Sequence, residues 1–194
     1  MQQDVQGRLA LDVLRSAGPL MSHELTHSDI LYQGRILTLR LDRVRYPDGK
    51  EHTFEVIDHR DAVTILPIDA QGRVLFVRQY RQPAGRALLE LPAGVAEAGE
   101  AVETSAQREL REETGMAANR LERLGGFFLA PGYTTEFMHV FLASELYPSP
   151  LPGDEDESIQ LERLPLEAAL QLAETGGIED SKSLVALLWA RRRL

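Results

Sequence analysis

Three carboxylates crowd one turn of a single segment. In RELREETGM, from Arg108 to Met116, Glu109 and Glu113 stand four apart, with Glu112 between them. At 3.6 residues per turn, all three project from one helix face. Like charges so placed repel each other, and an arbitrary run of this kind belongs on a solvated surface. The other reading is that something positive normally sits there. Three oxygen-bearing side chains on one turn make the donor set of a hard cation, Mg2+ or Mn2+. Arg108 lies at the base of the group and can hold one carboxylate by a bidentate contact. Gly94 and Gly115 bracket the loop and the helix, where a tight turn and a left-handed C-terminal stop are required.

A second acidic segment lies downstream. PSPLPGDEDES, residues 148–158, is Pro-rich and then acidic, so it reads as a loop with a charged tip. The five histidines, at 23, 27, 52, 59 and 139, show no zinc spacing and read as structural or surface residues. No Ser-His-Asp arrangement stands out.

The elements that position these groups follow from periodicity. The chain of 194 residues is long enough for one domain and a sizeable core. Residues 8–15 read as a short amphipathic helix ended by Gly18-Pro19. ILTLRLDRVRY (36–46) alternates with period two and predicts a strand, and a PDG turn leads to a second strand, HTFEVI. AVTILPI (62–68) and RVLFVRQY (73–80) flank DAQG and predict a hairpin. Residues 101–114 predict a helix, and LERLGGFFLA and FMHVFLASEL predict strands around the loop PGYTTE. LPLEAALQLAETGG predicts a helix with a Gly stop. Asp180 or Ser181 is expected to cap a last helix, SLVALLWARRR. Strands dominate the middle and helices close the chain. That is an α+β layout, without the regular alternation of a doubly wound sheet.

Composition narrows the partners. A net charge of −9 argues against a nucleic acid or an anionic membrane as partner. The N-terminal twenty residues lack a basic region followed by a long apolar run, so no signal peptide is expected. The absence of cysteine fits a reducing cytoplasm.

The stretch from Gly94 to Met116 resembles the Nudix box, G-x5-E-x7-R-E-U-x-E-E-x-G-U, at every specified position. These are Gly94, Glu100, Arg108, Glu109, Leu110, Glu112, Glu113, Gly115 and Met116. The likeness extends over roughly residues 30–190. VRQYR, LLELPAG, a Pro131 sixteen positions after Gly115, and GGIEDSKSLVALL resemble the ADP-ribose pyrophosphatase and nucleotide-sugar hydrolase branch.

The resemblance implies a mixed-sheet α/β/α Nudix sandwich in residues 61–194. An N-terminal extension of strand and helix, residues 1–60, is expected to dimerise. It implies divalent-metal-dependent hydrolysis of a nucleoside diphosphate linked to a sugar, foremost ADP-ribose to AMP and ribose 5-phosphate. Another nucleotide sugar such as GDP-mannose is the alternative; a non-catalytic nucleotide sensor is the rival of another class. Carried over, Glu109, Glu112, Glu113, the carbonyl of Ala93 and Glu157 are expected metal contacts. Glu155 is assigned to water activation, with Glu157 and Glu112 sharing the catalytic role. Arg81 is expected to meet a phosphate, with Arg78 as a weaker candidate. Relatives carry a second phosphate-binding Arg where this chain has Val56, Ile57 and Asp58, and Arg60 is the replacement candidate. Glu136 is assigned to the terminal sugar and Tyr32 to stacking on the adenine.

Overall fold

The computed structural model describes residues 22–153 and 158–191, together with Arg193. The helix expected at 8–15 and the acidic pair Glu155 and Glu157 lie outside the described residues. The chain divides into two compact units, Met1–Asp58 and His59–Leu194.

The first unit carries a three-stranded sheet in the order β1-β2-β3. Its strands are β1 (Glu24–Gln33), β2 (Leu37–Arg45) and β3 (Glu51–His59). Strands β2 and β3 are those the alternation predicted, joined by a turn at Tyr46–Lys50 in which Gly49 takes a φ of 82°. Strand β1 was not legible. It runs antiparallel to β2 with register shifts between Leu25 and His27 and between Ile30 and Tyr32. Two such irregularities in ten residues erase the period-two signal. Tyr32 therefore lies within a strand rather than before one.

The second unit holds two sheets. A four-stranded sheet has the order β7-β4-β9-β8, built from β4 (Ala62–Pro67), β7 (Ala93–Val95), β8 (Met116–Phe128) and β9 (Phe137–Pro148). The β4–β9 pair is parallel and the others antiparallel, so the sheet is mixed. A three-stranded sheet has the order β10-β5-β6, built from β5 (Arg73–Arg81), β6 (Arg86–Glu90) and β10 (Ile159–Pro165).

The DAQG turn forms. The Asp69 carboxylate accepts from the backbone N–H of Gln71 and of Arg73, each at 2.9 Å, and Gly72 takes a φ of 70°. The hairpin it should close does not: β4 and β5 part after a single bridge, Ile68 to Val74. Strand β4 is apolar except for Thr64 and every residue of it is buried, so it takes the middle of one sheet while β5 takes the middle of the other. Strand β10 was also unexpected. IQLERLP is short, its alternation is broken by the adjacent Glu162 and Arg163, and it runs directly into a helical pattern that masked it.

Alternate residues of β4 feed two cores. Val63 and Ile65 pack with Ala106 and Leu110 of helix α1 (Val102–Thr114), and with Phe141 and Ala143. Leu66 packs with Phe76, Leu91, Val140, Ile178 and Leu187, beside helices α2 (Leu166–Thr175) and α3 (Ser181–Ala190). This is the expected sandwich of helices about a mixed sheet. Burying each large apolar side chain here contributes about 1.5–3 kcal/mol. Gly125 of β8 leaves room for the α3 indole: a Cβ there would lie 2.7 Å from Trp189. Among the described residues, no helix is long and apolar enough to cross a membrane.

Candidate active site

Helix α1 begins without a side-chain cap; the carbonyl of Ala101 receives the N–H of Thr104 and Ser105 at 2.9 and 3.0 Å. It ends at Gly115, whose φ of 72° only glycine adopts freely. Between these ends the hydrophobic stripe of Ala106 and Leu110 docks on β4. That docking fixes the rotation of the helix and turns Glu109 toward β7. Gly94 of β7 lies directly beneath the Glu109 carboxylate, so close that a Cβ would stand 2.1 Å from Cδ. The glycine is a steric necessity.

Arg108 organises the acidic face. Its Nη1 donates to Glu109 at 2.6 Å and to Glu112 at 2.9 Å. Its Nη2 donates to the Val95 carbonyl at 3.1 Å and to Glu100 at 3.2 Å. Burial opposes the charge on Arg108, but Glu100 and Glu109 outweigh it and hold the guanidinium above its ordinary, already high pKa. Glu100 accepts in addition from the Ser105 hydroxyl at 2.6 Å and the Glu97 N–H at 3.2 Å. Burial pushes its carboxyl up, while Arg108 and Ser105 prevail and keep it below 4.5. Arg108 was expected to steady one carboxylate and holds three.

Glu113 turns the other way. Its carboxylate accepts the backbone N–H of Ala93 at 3.1 Å, which places it beside the Ala93 backbone. Among the described residues, no three acidic, His or Cys side chains converge closely enough to hold an ion by themselves. The reason is electrostatic. The like charges are offset by two different partners: Glu109 and Glu112 share Arg108, and Glu113 accepts an N–H. The donor chemistry still suits a hard divalent cation. It is all oxygen and negatively charged, and it borders a glycine backbone that leaves the carboxylate room.

A family model for the NUDIX domain matches residues 58–187, and a model for the nucleoside diphosphate sugar hydrolase N-terminal domain matches residues 24–57. The chain belongs to the Nudix family. It is 37% identical over 159 residues to an ADP-ribose pyrophosphatase of Bacillus subtilis, covering 81% of this chain and 86% of that protein. It is 34% identical over 172 residues to a methanol dehydrogenase activator of Bacillus methanolicus, covering 88% and 93%. A solved ADP compounds hydrolase superposes with a TM-score of 0.82 at 28% identity, covering 92% of this chain and 97% of that one. The protein is thus a Nudix pyrophosphohydrolase, and α1 with the loop before it is its Nudix box.

The remaining expected residues fall in different places. Arg81 ends β5 and grips Glu90 with Nε at 2.8 Å and Nη2 at 2.7 Å, using both carboxylate oxygens. Its hydrogen bond to Glu90 outweighs burial and raises its pKa further. Nη1 and one Nη2 hydrogen have no part in that grip, and the side chain is 37% exposed. Arg78 instead pairs with Glu162 across the β5–β10 ladder. Arg60 is exposed at the entrance to β4, and Glu136 is half-buried at the end of the loop before β9. Their neighbours join them: the Thr135 hydroxyl accepts the N–H of His59 at 2.8 Å and donates to its carbonyl at 2.9 Å. Tyr32, in the first unit, is 60% exposed.

Sequence reasoning passed over Glu90, Lys182 and Gln79, and read His139 only as a structural or surface residue. Glu90 is 1% exposed and serves Arg81; Lys182 is its second partner. His139 sits between Asp61 and Arg123, at 2.8 Å from each. It lies across the sheet from Gly94 through Val63. The Gln79 Oε1 is buried with no hydrogen-bond partner among the described residues. Only Glu90 carried a usable sign, an acid inside the apolar run LLELP.

Proposed function

We propose that this Nudix hydrolase cleaves the pyrophosphate bond of ADP-ribose, giving AMP and ribose 5-phosphate. The observation that carries the reading is the joint placement of Glu113 at the Ala93 backbone and Glu109 over Gly94, in a chain 37% identical to an ADP-ribose pyrophosphatase.

Mg2+, or Mn2+ in its place, would be held by Glu109, Glu112, Glu113, the carbonyl of Ala93 and Glu157. When bound, it neutralises the pyrophosphate oxygens and lowers the pKa of the attacking water. Glu155 takes the proton from that water, with Glu157 and Glu112 sharing the role. Arg81 presents its outer N–H groups to a phosphate oxygen, and its inner edge is already fixed by Glu90. Arg60 supplies the second phosphate contact. Arg78, tied to Glu162, is the lesser candidate. Glu136 accepts from the terminal ribose, and Tyr32 stacks on the adenine.

The working form is a homodimer in the cytoplasm, paired through residues 1–60. Support comes from Leu25, Ile30, Leu31, Tyr32, Ile36 and Phe54, each 39% exposed or more, on and between the strands of the first unit.

The test is a panel of ADP-ribose, GDP-mannose, ADP-glucose, NADH and diadenosine polyphosphates with Mg2+ or Mn2+, following AMP or GMP release. Selective ADP-ribose cleavage supports the reading. Preferential GDP-mannose cleavage replaces the substrate, and no cleavage with any metal favours a sensor.

A further inference from the structure

The ending GGIEDSKSLVALL is not used by the box, yet it reaches the site. Asp180 caps α3, accepting the Ser183 N–H at 3.0 Å. The Ser183 hydroxyl accepts the N–H of Leu91 at 2.7 Å, tying the helix start to the ELPAG segment. Between them Lys182 is 8% exposed, with Nζ donating to Glu90 and lying 3.0 Å from Asp180. A lysine in the first turn of a helix opposes the dipole, and burying it adds a desolvation cost. As a mere staple between α3 and β6 it is an expensive choice, because apolar packing serves as well.

Charge explains the choice. Glu90 alone would cancel Arg81, since it holds that guanidinium through both oxygens. Asp180 caps the positive end of α3 and also lies 3.0 Å from Nζ of Lys182, so Lys182 stands between two carboxylates, Glu90 and Asp180. Arg81 and Lys182 together balance Glu90 and Asp180, so without Lys182 two carboxylates would be set against Arg81 alone, and Arg81 is the cation that reaches solvent, at 37% exposure against 10% for Lys182. We propose that Lys182 is a positioning residue for substrate binding: by sharing the charge of Glu90, it leaves the outer edge of Arg81 positive for a diphosphate oxygen. This rests on the reading of Arg81 as a phosphate contact.

The test compares wild type, Arg81→Ala, Lys182→Met, Lys182→Arg and the double variant Glu90→Gln/Lys182→Met. KM and kcat for ADP-ribose are measured with Mg2+, with the Kd of its α,β-methylene analogue by calorimetry and the melting temperature of each full-length chain. Lys182→Met should raise KM and Kd about tenfold, with kcat changed less than about threefold. Lys182→Arg should return most of the affinity. The double variant should regain it as well, because Arg81 is no longer cancelled, even if it melts lower than wild type. Wild-type Kd in Lys182→Met, with a lower melting point, would overturn the proposal and leave a staple. A double variant as weak as Lys182→Met would overturn it too, and serves where the single variant folds poorly. If Arg81→Ala alone binds as wild type does, the phosphate contact fails and this inference with it. If Arg81→Ala weakens binding and Lys182→Met does not, only this inference fails.

Discussion

Gly94→Ala adds one methyl group at the point where the box loop passes under α1. The new Cβ would stand 2.1 Å from Cδ of Glu109 and 2.2 and 2.3 Å from its two oxygens. Ordinary contact begins at about 3.4 Å, so the carboxylate must retreat by about 1.3 Å. It has little freedom to do so. Glu109 is 8% exposed and held by Arg108 at 2.6 Å, and Arg108 is in turn held by Glu100, Glu112 and Val95. The backbone of Gly94 is locked by pairing with Val63 in the β4–β7 ladder. With Glu109 in its proposed role as a metal contact, a displacement of this size should cost about a hundredfold in rate. Overpacking and the weakened ion pair together cost about 1–3 kcal/mol of stability. The assay is kcat for AMP release from ADP-ribose, with thermal melting beside it. The double variant Gly94→Ala/Glu109→Asp separates the two effects. Shortening the side chain should recover melting temperature, while the shorter carboxylate leaves activity low. Gly94→Ala with kcat within about threefold of wild type would refute the reasoning, because Glu109 would then have no required position.

Acid stability should follow the box as well. Glu100 and Glu90 are both held below an ordinary value of 4.5 despite burial, Glu100 by Arg108 and Ser105, Glu90 by Arg81 and Lys182. A depressed carboxyl stabilises the fold above its unfolded pKa and loses that contribution as pH falls through its folded one. Melting temperature should therefore fall steeply below about pH 4.5, and the deficit of Glu100→Gln at pH 7, about 4–8 °C, should shrink across that window. A deficit that stays constant from pH 7 to pH 3 would contradict the assignment. In the second core, Gly125→Val should lower the melting temperature by several degrees through its collision with Trp189, and Trp189→Leu in the same chain should restore part of it. Additive losses would contradict that contact.

The parts legible in the sequence are those with a local physical signature. Helix α1 announced itself by its apolar stripe and its Gly115 stop, and it runs Val102–Thr114 where residues 101–114 were expected. The Asp180 cap was legible because capping is a matter of a few adjacent residues. What was missed depends on distant partners. The sequence shows AVTILPI and RVLFVRQY on either side of a good turn; that they join different sheets follows from β7, β9, β6 and β10, which are remote in the chain. In the β5–β6 ladder Glu90 lies opposite Val77, and Arg81 reaches it only with its long side chain; Lys182 meets it because α3 returns across a separation of 92 residues. The role of Arg108 was underestimated for the same reason: Glu100 and the Val95 carbonyl reach it only after the loop folds back.

The most direct test of the account is the turnover of ADP-ribose with saturating Mg2+ by wild type and by Glu113→Gln. The substitution keeps volume and an oxygen that can accept the Ala93 N–H, and it removes only charge. Wild type should release AMP, and Glu113→Gln should lose about a hundredfold or more with unchanged melting temperature. Glu113→Gln within about threefold of wild type would contradict this, because the box carboxylates would then have no part in the cleavage.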